Sequence, residues 1–236
     1  MKFVTVATQE NDGLRLLKRS CEHFDIHLEV LGFNQPYRGN GTKIIYLTEF
    51  LKQQDPDEIV FFTDAYDSYF VRDVSDLETN FKQFNHPILF SSEDNYYFRI
   101  QGIPHIFWNR YYYYKYPKST SRFKKYRYLN SGGYMGYAGK ILDLFQASGI
   151  NGKMRSDQVN LHKHFVNHPE SIQLDYDHEI FTSYGKFSQP DRFTVTDDEL
   201  KNNFTGSRPY IFHFPGPKHR GMYEYAAQFS FLKSSS

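Results

Sequence analysis

The sequence predicts an α/β domain built on a largely parallel sheet, and three observations lead there. The run "EIVFFTDAYDS", residues 58–68, is apolar for four residues and then sets Asp64, Tyr66 and Asp67 within one turn of chain. A β-branched and aromatic run flanked by acids has the pattern of an interior strand, and the carboxyl ends of such strands are where open sheets bind ligands. Strand-like runs alternate with helical stripes along the chain, which favours parallel pairing through crossover helices. Finally, 236 residues without a break in composition are enough for one sizeable core, so a single domain is expected over residues 1–236.

Residues 2–8 read as the first strand. From Gly13 to Phe24, Leu14, Leu17, Cys21 and Phe24 share one helical stripe. "HLEVL" follows as a strand, "GFNQPYRGNGT" as a loop, and "KIIYLTEFLKQ", opened by Lys43, as a helix. The 58–63 strand comes next, then a helix over 74–84 entered through Ser75 or Asp76, then the short strand "PILFSSE" from residue 87. Arg110 to Tyr128 is basic, aromatic and broken by Pro117, with neither period, as in a lid or binding loop over the acceptor or in a solvated loop that shields the sheet. "YLNSGGYMGYAGKILDLF" reads as turn, strand and helix, and "RSDQVNLHKHFVN" as a helix capped by Ser156. "YIFHF", residues 210–214, is the last clear strand and runs into "PGPKHRG".

Composition narrows the function. With 28 basic and 27 acidic residues, neither a nucleic-acid surface nor a polyanion is indicated, so specificity has to come from a site. The single cysteine, Cys21, reads as a core thiol. No charged-then-apolar leader precedes the first strand, and no apolar run is long enough to span a bilayer. A cytoplasmic chain with no membrane partner is the expectation. The 20 Tyr and 23 Phe stand beside one Trp. Most are expected in the core, and tyrosines near a site suit a sugar, a base or a peptide.

The candidate chemistry gathers at strand ends. Asp64 and Asp67 offer hard oxygen ligands for Mg²⁺ or Mn²⁺, or else they are turn-forming acids that cap the next segment. His213 also ends an apolar strand, and an imidazole beside two carboxylates suits Mn²⁺ better than Mg²⁺. "NSGG", residues 130–133, allows close backbone approach to a ligand, or is a plain tight turn. Asp157 and Gln158 lie in the first turn of a helix, where the carboxylate also serves the dipole. Lys43 and Lys218 are cations placed where they can meet phosphate, or are ordinary surface lysines.

"VTVATQENDGLRLLKRSCEHF", "GNGTKIIYL", "VFFTDAYDS", "LNSGGYMGYA", "SDQ" and "HFPGPK", in this order and spacing, resemble the glycosyltransferase domain of the multifunctional procollagen lysyl hydroxylases. Collagen galactosyltransferases are a more distant match. The resemblance runs from residue 3 to about residue 220, and "FxDxYD" together with "LNSGG" is its specific part.

The resemblance implies a GT-A type, Rossmann-like mixed sheet, a UDP-sugar donor and Mn²⁺. It also implies transfer of glucose to galactosyl-hydroxylysine in collagen-like protein, with retention of anomeric configuration. By the same resemblance Asp64, Asp67 and His213 bind the metal, while Thr8 and Lys43 border the uridine or diphosphate. Tyr66 lies near the nucleotide, and Asn130, Gly132 and Gly133 form the sugar-facing turn. Asp157 and Gln158 face donor sugar and acceptor, and Gly216 and Lys218 serve the diphosphate. The family's acidic run before the Gln is here Ser156 and Asp157, and its Gly-Asn-Gly after the His is Phe214, Pro215 and Gly216. The other readings are a hydroxylysine galactosyltransferase using UDP-galactose, a UDP-sugar hydrolase, and a sugar-nucleotide or collagen binding module without activity.

Overall fold

The computed structural model describes residues 1–37, 39–94, 114–119, 121–152, 156–185, 188, 190–216 and 221–233. Its main sheet has six strands in the order β2-β1-β3-β6-β5-β7. These are β1 (Lys2–Val6), β2 (Leu28–Leu31), β3 (Ile59–Thr63), β5 (Ile88–Glu93), β6 (Tyr128–Tyr137) and β7 (Gln173–Asp175). β1 pairs in parallel with β2 and β3, and β5 with β7, whereas β6 is antiparallel to both β3 and β5. The sheet is therefore mostly parallel with one reversed strand. Helices α1 (Asp12–His23), α2 (Asn40–Leu51), α3 (Leu77–Gln83), α4 (Ala138–Ala147) and α5 (Asp157–Asn167) cover it.

Alternation along each strand divides the core. Val4, Val60, Phe62 and Tyr134 face one layer with α2, α4 and α5, and Phe3, Phe61, Leu89 and Met135 face the other with α1 and α3. The α1 stripe is as expected: Leu14, Leu17 and Cys21 are buried. Burial pushes the Cys21 thiol up to about 12, which keeps it protonated and inert. Asn11 begins this helix, and its side chain accepts from the Leu14 amide at 2.9 Å.

A second sheet, order β4-β11-β8, has three strands: β4 (Ser68–Phe70), β8 (Phe181–Ser183) and β11 (Ile211–His213). β11 is antiparallel to β4 and parallel to β8. Beneath it Tyr69, Tyr184, Phe193, Phe212, Phe214 and Tyr225 pack ring against ring. This core accounts for part of the aromatic excess. The hairpin of β9 (Phe193–Thr196) and β10 (Glu199–Asn202) and the short helix α6 (Met222–Ala226) complete the fold.

Several local expectations are corrected. "NSGG" is not a turn but the middle of β6. Phe90 pairs with Tyr134 and Ser91 with Asn130, so Ser131, Gly132 and Gly133 bulge from the β5 ladder, while Gly133 still pairs with Thr63 of β3. Lys43 lies inside α2 rather than at its start, because the helix begins at Asn40 after Gly39, whose φ of 107° favours glycine. α3 begins at Leu77, later than the sequence pattern indicates. Its Asp76 makes no cap bond because its carboxylate is taken by Arg72 and by the Tyr210 hydroxyl. Ser156 holds the N-cap position of α5 without a side-chain cap bond.

Of the Arg110–Tyr128 segment, residues 110–113 and Thr120 lie outside the described residues. Tyr116, Tyr126 and Tyr128 are core residues rather than ligand-facing ones. The Tyr116 hydroxyl meets Nδ1 of the buried His162 at 2.6 Å. Lys115 and Lys118 are exposed.

Candidate functional site

The chain crosses from one sheet to the other through Asp64–Asp67, and that crossing builds the site. Asp64 N donates to Gly132 O at 2.8 Å, and Phe214 N to Asp67 O at 2.7 Å, so each end of the acidic turn is fastened to a different strand neighbour. Within the turn the Ser68 hydroxyl donates to Asp64 O at 2.6 Å and also meets Thr63 Oγ1. β11 then delivers His213 opposite Ser68.

One ligand atom from each of Asp64, Asp67 and His213 lies within 4.8 Å of the others. His213 is 4% exposed, and its ring nitrogens make no hydrogen bond among the described residues. Its Nε2 faces Asp67 Oδ2 at 3.4 Å. Burial would lower the His213 pKa, but the Asp67 carboxylate first, with Asp64 and Glu93 beside it, more than reverses this, and the imidazole is held above its ordinary value. Burial raises the Asp64 carboxyl, Lys43 opposes that, and the nearby Asp67 raises it again, with a net upward shift. A buried imidazole without a hydrogen bond and two crowded carboxylates suit a divalent cation. A Cβ at Gly132 would intrude on both His213 and Asp64, so only glycine leaves this wall of the cluster open.

Lys43 reaches the cluster from α2. Its ammonium is 2.9 Å from Asp157 Oδ2 and 3.1 Å from Asp64 Oδ1. Burial alone would lower its pKa, yet the Asp157 and Asp64 carboxylates raise it above the usual lysine value. Asp157, expected to face the sugars, is thus committed to Lys43 and buried. The Tyr37 phenol is exposed and lies within electrostatic reach of Lys43, Asp64, Asp157 and Tyr66.

Tyr66 acts on the loop after β1. Its hydroxyl accepts from the amides of Thr8 at 3.0 Å and Gln9 at 3.2 Å. Its backbone carbonyl lies where a Cβ on Gly13 would come within 2.0 Å, so α1 starts directly against the acidic turn.

On the other side, Gln158 Nε2 donates to Glu93 Oε1 at 3.0 Å, and the Asn130 side chain accepts from the Gly132 amide at 2.8 Å. Burial pushes the Glu93 carboxyl up to about 8. Glu93 and Tyr37 stand beside the cluster without being marked by the motifs above. The signal for Glu93 was available: "ILFSSED" is a second apolar strand ending in two acids, the same pattern that marked Asp64 and Asp67. The other acid, Asp94, is buried and paired with the buried Arg192 and the exposed Lys125.

The structure therefore brings Asp64, Asp67, His213, Lys43, Asp157 and Gly132 together, with Tyr66, Thr8, Asn130, Gln158 and Glu93 around them. Gly133 sits apart, since its Cβ direction points into the Phe181 ring. Gly216, φ 114°, has open space on its Cβ side. Lys218 lies outside the described residues.

Residues 1–228 match the family described as "PLOD GT domain". The chain belongs to that family. Procollagen-lysine,2-oxoglutarate 5-dioxygenase 1 of Gallus gallus is 29% identical over 232 residues, covering 91% of this chain and 30% of the relative. The Caenorhabditis elegans multifunctional procollagen lysine hydroxylase and glycosyltransferase is 29% identical over 235 residues with the same coverage. This PLOD GT domain thus spans about 30% of the length of these relatives. A solved structure of the galactosyltransferase LgtC, in complex with donor and acceptor sugar analogs, superposes over the whole chain with a TM-score of 0.53 at 13% identity. The fold of the PLOD GT domain is accordingly α/β of the GT-A glycosyltransferase type, and the domain is a glycosyltransferase of its family. Among the described residues no helix is long and apolar enough to cross a membrane. The fold adds nothing to the cytoplasmic expectation.

Proposed function

We propose that this domain, one unit over residues 1–236, transfers glucose from UDP-glucose to galactosyl-hydroxylysine in collagen-like chains, with Mn²⁺ held by Asp64, Asp67 and His213. The observation that carries the reading is the convergence of those three side chains beside Gly132, where any side chain would collide with His213 and Asp64. Nitrogen and two carboxylates favour Mn²⁺ over Ca²⁺. Bound there, the ion would neutralise the diphosphate leaving group.

The chain's own residues divide the remaining work. Lys43 holds Asp64 and Asp157 in place through two short ion pairs, which keeps one metal carboxylate oriented before substrate arrives. Tyr66 fixes the Thr8–Gln9 backbone that borders the nucleotide, and the exposed Tyr37 offers a ring on the same side. Gln158, tied to Glu93, and Asn130, tied to the Gly132 amide, give a polar wall of set orientation for sugar hydroxyls. Asp157, buried against Lys43, acts only by holding that lysine and through it Asp64, and Gly216 and Lys218 serve the diphosphate.

In the reaction the bond from the anomeric carbon to the diphosphate oxygen breaks and a bond to the acceptor hydroxyl oxygen forms on the same face. The acceptor proton passes to the departing phosphate oxygen, so configuration is retained and no dedicated base is needed.

Incubation with UDP-glucose and Mn²⁺, with and without galactosyl-hydroxylysine peptide, tests the proposal. Glucosylated product is expected, whereas free glucose alone indicates a hydrolase and no turnover a binding module. UDP-galactose with hydroxylysine peptide in parallel tests the galactosyltransferase reading. Asp67→Ala is expected to abolish transfer with an unchanged circular dichroism spectrum. Activity persisting in that variant with chelator present would remove the metal from the mechanism.

A further inference from the structure

We propose that a polar groove at the end of the three-stranded sheet remote from Asp64, Asp67 and His213 is a docking site for an extended peptide carrying both acidic and basic side chains. The inference rests on the peptide acceptor proposed above and adds a second place where that peptide is held.

Topology puts the groove there. His213, at the end of β11, pairs with Ser68 and Ser183, while Ile211, at its start, pairs with Phe70 and Phe181. The segments just before β11, just after β4 and just before β8 therefore meet at the opposite end of the small sheet. There Arg72, Arg122, Glu179 and Arg208 line a cavity of about 680 Å³. A second cavity of about 320 Å³ shares Ser121, Asp177 and Glu179 with it, so the two form one elongated groove. Phe123 lies on one side, and Phe84, Leu174 and Tyr176 lie at the other end.

The charges select the occupant. Arg72 is paired with Asp76 and stacked on Tyr210, and Arg208 is paired with Glu199. Asp177 accepts from the Ser121 hydroxyl. Two groups are left over. Arg122 lies 4.6 Å above the Phe123 ring with no ion pair among the described residues. Glu179 is exposed, and its carboxylate has no cation partner there. A polyanion would meet Glu179 and Asp177, and a polycation would meet the arginines. A chain that brings a carboxylate to Arg122 and an ammonium or guanidinium to Glu179 satisfies both.

The elongated shape, with the half-buried Phe84 and Phe123 rings along it, suits peptide backbone and stems more than a compact metabolite. Glu179 precedes Ser183 by four residues, about 13 Å of chain at full extension. A peptide of about ten residues, about 33 Å when extended, can reach from this groove toward the cluster.

The test uses the full chain and a fluorescein-labelled, glycine-rich peptide of about fifteen residues with interspersed Asp and Lys and no hydroxylysine. Anisotropy is expected to report binding without UDP-sugar, weakening about five- to tenfold in Arg122→Glu and in Glu179→Lys and in high salt. Both residues are exposed, so unchanged melting temperatures accompany the loss. In turnover, the same variants are expected to raise KM for a long glycopeptide and leave KM for a single galactosyl-hydroxylysine unchanged. Equal affinity of parent and both variants, or no binding by the parent, overturns the groove. Charge-dependent peptide binding without any glucosyl transfer sinks the proposed activity and leaves the groove standing.

Discussion

Gly132 lies against the imidazole of His213 so closely that a Cβ there would stand 2.3 Å from Cε1, 2.8 Å from Nε2 and 2.9 Å from Asp64 Oδ2. Real side chains do not pack at such distances, so Gly132→Ala must turn the ring, move Asp64 or bend β6. The expected outcome is Mn²⁺ affinity reduced at least about tenfold, with a stability loss of about 1 to 3 kcal/mol. Mn²⁺ electron paramagnetic resonance titration and urea unfolding measure the two effects. Parent-like Mn²⁺ affinity in the variant would remove His213 from the ligand set.

Lys43 is expected to matter for folding as well as for substrate. Its side chain is 14% exposed and that of Asp157 5%, and removing the cation strands two carboxylates. Lys43→Met should cost about 3 to 5 kcal/mol in unfolding free energy. Adding Asp157→Leu should restore a substantial part of it, because the buried acid is what remains uncompensated. If the double variant is no more stable than Lys43→Met, the pair is not the coupled unit described.

Tyr66→Phe removes one hydroxyl that accepts from two amides. About 1 kcal/mol of loop order is at stake, and the loop borders the proposed donor site. KM for UDP-glucose is expected to rise about fivefold with kcat little changed. A kcat loss at unchanged KM would instead place the hydroxyl in the chemical step.

Stability should decline between about pH 6.5 and 8. Burial pushes the Asp175 carboxyl from 3.8 up to about 7, even though the Glu179, Ile180 and Phe181 amides donate to it. The native state therefore holds an extra proton between those values, and stability falls as pH rises through them. Burial lowers His162 and His178 from 6.5 to about 3, so their contribution grows as pH rises and is complete above 6.5. Above that point the raised acids, Asp175 up to about 7 and Glu93 up to about 8, give up their native protons, and His213, held above 6.5, gives up its own in the same direction, with a slope of at most about 1.4 kcal/mol per pH unit for each. Asp175→Asn should flatten the part of the decline in urea midpoints that lies below about pH 7, leaving the part that Glu93 carries toward pH 8, despite lowering their absolute level. An unaltered slope would show that Asp175 is ionised in the native state.

Much of this arrangement was legible in the chain. β3 announces itself by its apolar run, α1 by its stripe, and the cluster by three ligating residues that each follow an apolar strand. These are local properties, set by side-chain period and by the change from apolar to acidic residues. What local pattern could not carry is partnership. Whether Asp64 and Asp67 cap a turn or face His213 depends on β4 and β11 pairing across 145 residues of sequence, the separation of Ser68 and His213. The bulge that turns "NSGG" from a loop into a strand exists only because β3 and β5 both pair with β6. Asp157 and Lys43 each read as ordinary helix residues until burial excludes water and makes each the other's counterion. Residue type and spacing determined which groups the chain carries, and long-range pairing and desolvation decided which of them meet.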